Sequence, residues 1–367
     1  MGRGKFEKKP EPKTSGYSKK YADNKGGSRT NRILLRVLIV VLAILLVLMI
    51  TVAVAMEFVL GKIGRYDDQP EATGNTQPVV ESFETDPTVE GGETYETVDP
   101  DAVVWETVDT LANEEHIINI LLIGQDARPG ESRARSDTMI LVSLNEDTNE
   151  IKMVSFMRDM YVQIPGYQDN RINSAYALGG EELLNETLNV NFGVQIDGNV
   201  SVNFEAFEDV IDVLGGVDIE IDSEEAGYMR NVIGVSASTG MNHFDGEDAL
   251  AFARMRYVSG GDYTRTERQR RVIAAVMESL KGAGLTELIG LVNDVLPHVT
   301  TDLSNADIIN YATKGLAALS AGGEMSSTRI PADDAHYNAS IRGMSVLVPD
   351  LAMCQEDLKE FFYTTEE

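Results

Sequence analysis

Residues 249–276 read ALAFARMRYVSGGDYTRTERQRRVIAAV and hold six arginines of a chain whose formal net charge is −28. From about Tyr263 the spacing predicts an amphipathic helix with one stripe that begins polar and becomes apolar. That stripe comprises Arg265, Arg268, Gln269, Val272, Ile273 and Val276. The free N–H groups and the dipole of a helix N-terminus already favour anions. Arginines in the same turns therefore predict a phosphate or carboxylate pocket, the alternative being a solvated helix face with scattered charges.

Working outward from this helix, the preceding sequence alternates between strand and helix patterns. Continuous apolar runs and a turn-rich segment at 145–149 predict buried strands and a hairpin. The predicted strands are 117–123, 138–144, 151–156 and 217–221, and the predicted helices are 173–177, 181–188 and 204–214, with a break at Gly179-Gly180 and a stop at Gly215-Gly216. Alternating strands and helices predict an α/β fold, which we assign to one domain over 116–365.

The N-terminal third of the chain has three compositions in succession. Residues 1–36 carry eleven Lys/Arg against three Asp/Glu, which predicts a basic, disordered tail. Residues 37–56 are an unbroken uncharged run long enough to cross the hydrocarbon layer. The positive-inside rule places the tail in the cytoplasm and the rest outside. A cleaved signal peptide ending near Ala55 is the alternative to this retained transmembrane helix. Residues 57–115 are predicted to be an acidic extracellular linker.

Composition excludes several classes of protein. A sequence pI near 4.5 argues against non-specific binding to nucleic acid. Cys354 is the only cysteine, so the chain has no intramolecular disulfide. One cysteine and four scattered histidines cannot build a Cys/His metal cluster, so any metal is expected to be a hard cation held by carboxylates.

Arginine is strongly preferred over lysine after residue 56, at fifteen against five. The planar guanidinium binds phosphate oxygens bidentately and keeps its charge when buried. Several of these arginines fall at predicted strand ends or helix starts, where sites gather. A pyrophosphate carries enough oxygen atoms to hold several of them together. Others are expected to pair with carboxylates, namely Arg230, Arg329, Arg342, Arg270 and Arg271.

Two aspartates share loops with arginines. Asp126 follows the first predicted strand in Gly124-Gln125-Asp126-Ala127-Arg128, and Asp137 opens the next one in Arg135-Ser136-Asp137-Thr138. Both are expected at strand termini, where a carboxylate pair beside a diphosphate suits Mg²⁺. A cap or turn role is the alternative for each aspartate taken alone.

Six ordered motifs together resemble the LytR–CpsA–Psr family. They are Gly124-x-Asp126-x-Arg128, Arg135-Ser136-Asp137-Thr138, Arg158-Asp159, Arg171-Ile172-Asn173, Phe252-Ala253-Arg254-Met255-Arg256 and Gly261-Asp262-x-x-Arg265-x-x-Arg268-Gln269. The resemblance covers about residues 116–281, and residues 342–346 show a weaker resemblance. Met157 and Thr264 depart from the expected proline and glycine, which affects local loop geometry.

The resemblance implies a central, mostly mixed sheet flanked by helices, and a membrane-anchored phosphotransferase. Such an enzyme moves an anionic glycopolymer (teichoic acid, capsule or similar) from an undecaprenyl-pyrophosphate carrier to a muramic-acid hydroxyl of peptidoglycan. The resemblance implies that Asp137, Arg158 and Asp126 are catalytic and that Asp126 and Asp137 hold Mg²⁺. The candidates for the catalytic base are Asp126, Asp137 and Asp159. The predicted pyrophosphate ligands are Arg128, Arg135, Arg158, Arg171, Arg254, Arg256, Arg265, Arg268 and Gln269. The prenyl tail is expected in an apolar cavity between the sheet and the helices.

Two other classes of function compete with this one. A non-enzymatic surface receptor could bind polyprenyl-phosphate lipid or glycopolymer in the same pocket. Transcriptional regulation is disfavoured, because no helix-turn-helix stands out and the acidic region follows a membrane segment. The partners we expect are therefore the membrane, the lipid-linked polymer and peptidoglycan, without nucleic acid.

Overall fold

A seven-stranded mixed sheet forms the centre of the molecule. The computed structural model describes residues 57, 60–66, 95–111, 116–125, 135–255, 261–282 and 296–363. Numbered along the chain, the strands lie across the sheet in the order β1 (Gly64–Arg65), β10 (Val299–Thr301), β7 (Gly198–Val202), β2 (Ile117–Gln125), β3 (Ser136–Asn145), β4 (Ile151–Phe156) and β11 (Met325–Ile330). The pairs β2–β3, β3–β4 and β7–β10 are antiparallel, whereas β2–β7, β4–β11 and β1–β10 are parallel.

Three two-stranded ladders surround this sheet. They are β5 (Tyr161–Val162) with β6 (Asn170–Arg171), β8 (Val217–Ile221) with β9 (Gly240–Phe244), and β12 (His336–Ile341) with β13 (Met344–Pro349). Gly216 enters β8 with φ 102°, and a Cβ there would lie 2.4 Å from His243 Nε2, so this turn requires glycine.

Seven α-helices complete the described part of the chain. They are α1 (Asn173–Phe192), α2 (Phe204–Val213), α3 (Ser223–Tyr228), α4 (Gly246–Arg254), α5 (Gly261–Gly282), α6 (Asn305–Ser320) and α7 (Leu351–Tyr363). Helices α1 and α7 cover one face of the sheet, where Val154 and Phe156 share a core with Leu184 and Leu358. Helices α5 and α6 cover the other face. The α/β class and the mixed sheet flanked by helices are thus confirmed.

The predicted elements agree closely with the observed ones where local chemistry sets the boundary. The predicted hairpin is β3–β4, with Asn149 at φ 61° in its turn. The predicted helix break lies within α1, where Gly180 takes a non-helical φ of 71° and ψ of −156°. Glycine adopts this conformation without the steric penalty that a Cβ imposes.

The linker predicted over 57–115 needs correction, because its described parts pack on the domain. Residues 64–65 form β1, and the Arg65 guanidinium donates to Leu303 O and Asn305 Oδ1. Farther along, Trp105 stacks on Tyr161 with ring centroids 6.1 Å apart. These segments therefore belong to the folded unit rather than to a free spacer.

The predicted tail and membrane helix, residues 1–36 and 37–56, lie outside the described residues. Within the described ranges, no helix combines the length and apolarity that crossing a membrane requires. We still predict that added protease on intact protoplasts removes the C-terminal domain and spares the tail. Release of a mature domain cut after Ala55 would instead identify a signal peptide.

Candidate active site

Five strands bring their ends to one edge of the central sheet. Because β2, β4, β7 and β11 run parallel to one another, their C-terminal ends meet there, and antiparallel β3 begins at the same edge. Residues that directly follow or precede these ends therefore gather, although they are far apart in sequence. Open α/β sheets place their ligands outside the carboxyl ends of the strands in this way.

Two aspartates and two arginines form a hydrogen-bonded network at this edge. Arg158, two residues after β4, donates from Nη1 to Asp137 Oδ1 at 2.9 Å and from Nε to Asp159 Oδ2 at 3.4 Å. Arg171 donates from Nη1 to Asp159 Oδ1 at 3.3 Å. The Arg158 side chain is 12 % exposed and that of Asp137 29 % exposed, so solvent reaches the network from one side. Charge-assisted bonds of this kind fix both carboxylates and guanidinium planes.

The other predicted site residues outside helix α5 fall into three groups. Arg135 immediately precedes β3 and is exposed. Arg254, in the last turn of α4, lies over the Phe204 ring with its Cζ 4.3 Å from the ring centroid, a cation–π contact that holds it just beyond the end of β7. The third group, Asp126, Arg128 and Arg256, lies outside the described residues.

Helix α5 buries two faces rather than the single inward stripe that the sequence predicts. Val272, at 0 % exposure, belongs to a second core built from α2, α3, α4 and the β8–β9 ladder. Arg268 lies on this face and is 1 % exposed; it donates from Nη2 to Met255 O at 2.6 Å, and its Nη1 is 3.7 Å from Glu225 Oε1. Burial lowers the pKa of Arg268, and Glu225 partly offsets that effect. Arg268 therefore fastens α5 to α4, while Arg265 is buried and Gln269 half-buried beside it.

Arg270 and Arg271 differ in how they match the predicted pairing with carboxylates. Arg271 does pair with a carboxylate, donating to Glu225 Oε1 at 2.8 Å and Oε2 at 3.1 Å. Arg270 is instead 7 % exposed and lies on the second face of α5, which packs against β4 and β11. Among the described residues, Arg270 forms no ion pair with a carboxylate, in contrast to the pairing that the sequence predicts for it.

The first turn of α5 is held against the end of β11. Arg329, on β11, lies with its Cζ 4.3 Å from the centroid of the Tyr263 ring. His336 Nδ1 donates to Ala332 O at 2.8 Å, so Nε2 of the neutral ring accepts from the Tyr263 hydroxyl at 2.7 Å. Arg329 also pairs with Asp333, as predicted for it. Arg342 donates to the Asp169 carbonyl, and Arg230 donates to the Ala237 carbonyl, rather than to carboxylates.

An apolar cavity of about 340 Å³ lies between the sheet and helices α5 and α6. Ile118, Ile120 and Val142 of the sheet face Met277 of α5 and Leu316 of α6 across it. Helix α5 therefore links the two features, since its N-terminal half carries the arginines and its C-terminal half lines the cavity. The family resemblance implies an apolar cavity between the sheet and the helices.

An arginine–carboxylate network at one edge of the sheet and an apolar cavity between the sheet and helices α5 and α6 are the two features of this α/β domain that a function must explain. The sequence profile of the LytR_cpsA_psr family matches residues 81–360. The chain belongs to that family.

Curated relatives match part of this chain. The regulatory protein MsrR of Staphylococcus aureus (strain COL) is 38% identical over 165 residues, covering 44% of this chain and 49% of that protein. The polyisoprenyl-teichoic acid–peptidoglycan teichoic acid transferase TagU of Oceanobacillus iheyensis is 38% identical over 213 residues, covering 56% of this chain and 64% of that protein. The chain thus spans about half to two thirds of the length of these relatives.

Solved structures share the fold more extensively. TagT bound to LIIa-WTA superposes with a TM-score of 0.56 at 27% identity, covering 68% of this chain and 92% of that one. The family protein YwtF (TagT) with bound octaprenyl pyrophosphate lipid gives a TM-score of 0.53 at 25% identity, covering 72% and 98%.

Proposed function

We propose that this chain transfers an anionic glycopolymer, a teichoic acid or a similar polymer, from a polyprenyl-pyrophosphate carrier to peptidoglycan. The observation that carries the proposal is the network in which Arg158 bridges Asp137 and Asp159 at the sheet edge. The names of the TagU relatives and the octaprenyl pyrophosphate bound in a TagT structure support it.

The proposed reaction is a phosphoryl transfer. The acceptor hydroxyl oxygen attacks the phosphorus that bears the glycopolymer, a new P–O bond forms, and the bond to the bridging oxygen breaks. The lipid phosphate leaves with that oxygen, and the hydroxyl proton passes to an aspartate of the network. Such transfers depend on positioning and on neutralising charge at the transferring group. Arg158 and Arg171 would supply positive charge beside the carboxylates that take the proton.

A magnesium ion is part of the proposal. Within the described residues no group of three or more His, Cys, Asp or Glu side chains converges on a metal site. Magnesium needs only one or two carboxylates when phosphate oxygens and water complete its shell. The Asp137 side chain is 29 % exposed, and a carboxylate can accept from several groups at once, so Asp137 fits that requirement. Asp137 and Asp126 would hold the ion, which would neutralise charge on the diphosphate.

The metal proposal makes a direct prediction. The full chain should bind a prenyl diphosphate more tightly with Mg²⁺, and Asp137→Asn or Asp126→Asn should remove that gain, because a neutral amide is a weaker ligand for a hard cation. Titration calorimetry with and without Mg²⁺ measures it. If both variants keep the whole gain in affinity that Mg²⁺ gives the wild type, the two aspartates do not hold the metal and act as cap or turn residues instead.

The forked shape of the guanidinium group leads to a second prediction. If Arg254, Arg256 and Arg265 bind the diphosphate through forked contacts, lysine cannot replace them, although it keeps the charge. Each Lys variant should lose roughly ten- to a hundredfold in transfer rate, since one charge-assisted hydrogen bond contributes about 1.5–3 kcal/mol. Arg230→Lys is the control, because Arg230 is exposed and bonds within its own loop. Equal rates in all four variants would mean that net charge alone matters.

Transfer of a labelled lipid-linked glycan to a peptidoglycan fragment tests the proposal as a whole. We expect product with the wild-type chain and its loss in Asp137→Ala, with lipid binding retained. Lipid binding without any turnover would identify the chain as a surface receptor instead.

A further inference from the structure

Arg270 is a buried cation, and two of its guanidinium nitrogens have no acceptor in the described part of the chain. Its side chain is 7 % exposed, and no hydrogen-bond partner reaches its Nε or Nη1 atoms there. Burial lowers its pKa to about 10; nearby Glu267 raises it and Arg329 lowers it further. The guanidinium therefore remains charged at neutral pH. Buried N–H groups of a charged side chain without an acceptor are costly, so their presence needs an explanation.

The surroundings of Arg270 follow from the helix and strand registers. Helix α5 contacts β4 and β11. On β4, Ile151 shares a hydrophobic cluster with Met277 of α5. Alternate strand residues share a face, so Ser155 points to the same side as Ile151. Ser155 is paired in register with Arg329 of β11, the residue whose charge acts on Arg270.

Ser155 adds a second polar group without a partner beneath α5. It is 1 % exposed, and its Oγ has no hydrogen-bond partner among the described residues. Arg329, by contrast, is occupied by Asp333 and by the Pro331 carbonyl. Arg270 and Ser155 are thus two donors on facing elements, and a hydroxyl and a guanidinium together suit an anionic oxygen.

We propose that Arg270, assisted by the Ser155 hydroxyl, binds the lipid-proximal phosphate of a prenyl diphosphate, the phosphate bonded directly to the prenyl chain. The proposal rests on the proposed function and adds a ligand beyond the arginines that the sequence indicates.

The direction of α5 explains why we assign the lipid-proximal phosphate, rather than the distal one, to Arg270. Residues seven apart lie on one side of a helix, about 10 Å apart along its axis. Tyr263, Arg270 and Met277 form such a row, and Met277 lines the apolar cavity. Arg270 therefore stands between the sheet edge, where the network lies, and the cavity. A diphosphate lipid with its tail in the cavity places its first phosphate beside Arg270 and its second toward the network.

The test compares ligands that differ by one phosphate or by the prenyl chain. The full chain, purified in detergent, is titrated with farnesyl diphosphate, farnesyl monophosphate and inorganic pyrophosphate. We expect Arg270→Gln to weaken both farnesyl ligands by a similar factor of about ten to a hundred. Arg254→Gln should weaken only the diphosphate, and Arg230→Gln should weaken none. Ser155→Ala should give a smaller loss on both farnesyl ligands.

A stability measurement separates ligand binding from a structural role. Removing an uncompensated buried charge should raise the melting temperature of the ligand-free Arg270→Gln variant, by about 2–4 °C for a domain of this size. A fall in melting temperature would make Arg270 structural and overturn the proposal.

Each binding outcome is decisive. A loss confined to the diphosphate would assign Arg270 to the distal phosphate and overturn the proposal, as would unchanged binding in Arg270→Gln. An equal loss for inorganic pyrophosphate, with no added affinity from the prenyl chain in the wild type, would indicate a site for a free anion. If the wild type binds neither farnesyl ligand, the proposed function itself fails.

Discussion

The Arg158→Ala variant is expected to lose roughly 10²–10⁴-fold in transfer rate, because Arg158 makes two charge-assisted hydrogen bonds of about 1.5–3 kcal/mol each. Its guanidinium bridges Asp137 and Asp159. Its removal therefore leaves two neighbouring carboxylates without the positive charge that lies between them. The same removal withdraws a cation from the place where the diphosphate is proposed to bind. Transfer of labelled glycan under single-turnover conditions measures the effect on the chemical step.

Two controls make that result interpretable. Arg230→Ala removes an exposed arginine that donates to the Ala237 carbonyl and lies outside the network, and it should retain the wild-type rate. Thermal melting of both variants shows whether the domain remains folded. A folded Arg158→Ala variant within threefold of the wild-type rate would remove the network from the catalytic machinery.

Local chemistry explains which parts of the fold were predictable. The β3–β4 hairpin and the break in α1 are set by residues within the turn or at Gly180 itself, so the sequence alone indicates them. Strand β1 was missed because only two residues form it, and its partner β10 lies more than 230 positions away. A short strand of this kind has no periodicity to detect.

The candidate site was predictable in part for the same reason. Asp137 lies at the start of β3 and Arg158 two residues after the end of β4, and these antiparallel neighbours bring the two residues to one edge of the sheet. The burial of Arg270 does not follow from the polar-to-apolar stripe on α5, because the helix buries a second face as well. A row at seven-residue spacing, from Tyr263 through Arg270 to Met277, was the signal that could have revealed the second face.

Long-range pairs set the limit of such reasoning. Glu225 and Arg271 meet across 46 positions, and nothing in either local sequence indicates the partner. Such a contact depends on how α3 and α5 pack within the second core. Sequence patterns therefore identify which arginines are unusual, whereas the structure shows which of them, such as Arg268 and Arg271, hold helices together.

Glu225 is expected to be the most important single carboxylate for stability. It is 4 % exposed, lies 3.7 Å from Arg268 and 2.8 Å from Arg271, and completes the capping box of α3 with Asp222. Replacing it by alanine leaves Arg268 buried without its counterion, and breaking a buried pair in this way costs about 3–5 kcal/mol. At about 2–4 °C per kcal/mol, the melting temperature of Glu225→Ala should fall by roughly 6–20 °C.

The matched control for Glu225→Ala is Glu220→Ala, because Glu220 is exposed and contacts Arg271 only through its backbone carbonyl, which alanine retains. Its stability should change by less than about 0.5 kcal/mol. The double variant Glu225→Gln with Arg268→Met should recover much of the lost stability, since it removes both charges together. Calorimetric unfolding of the full chain measures all three. If Glu225→Ala and Glu220→Ala melt within 2 °C of each other (about 1 kcal/mol or less), the buried ion pair does not hold α5 in place.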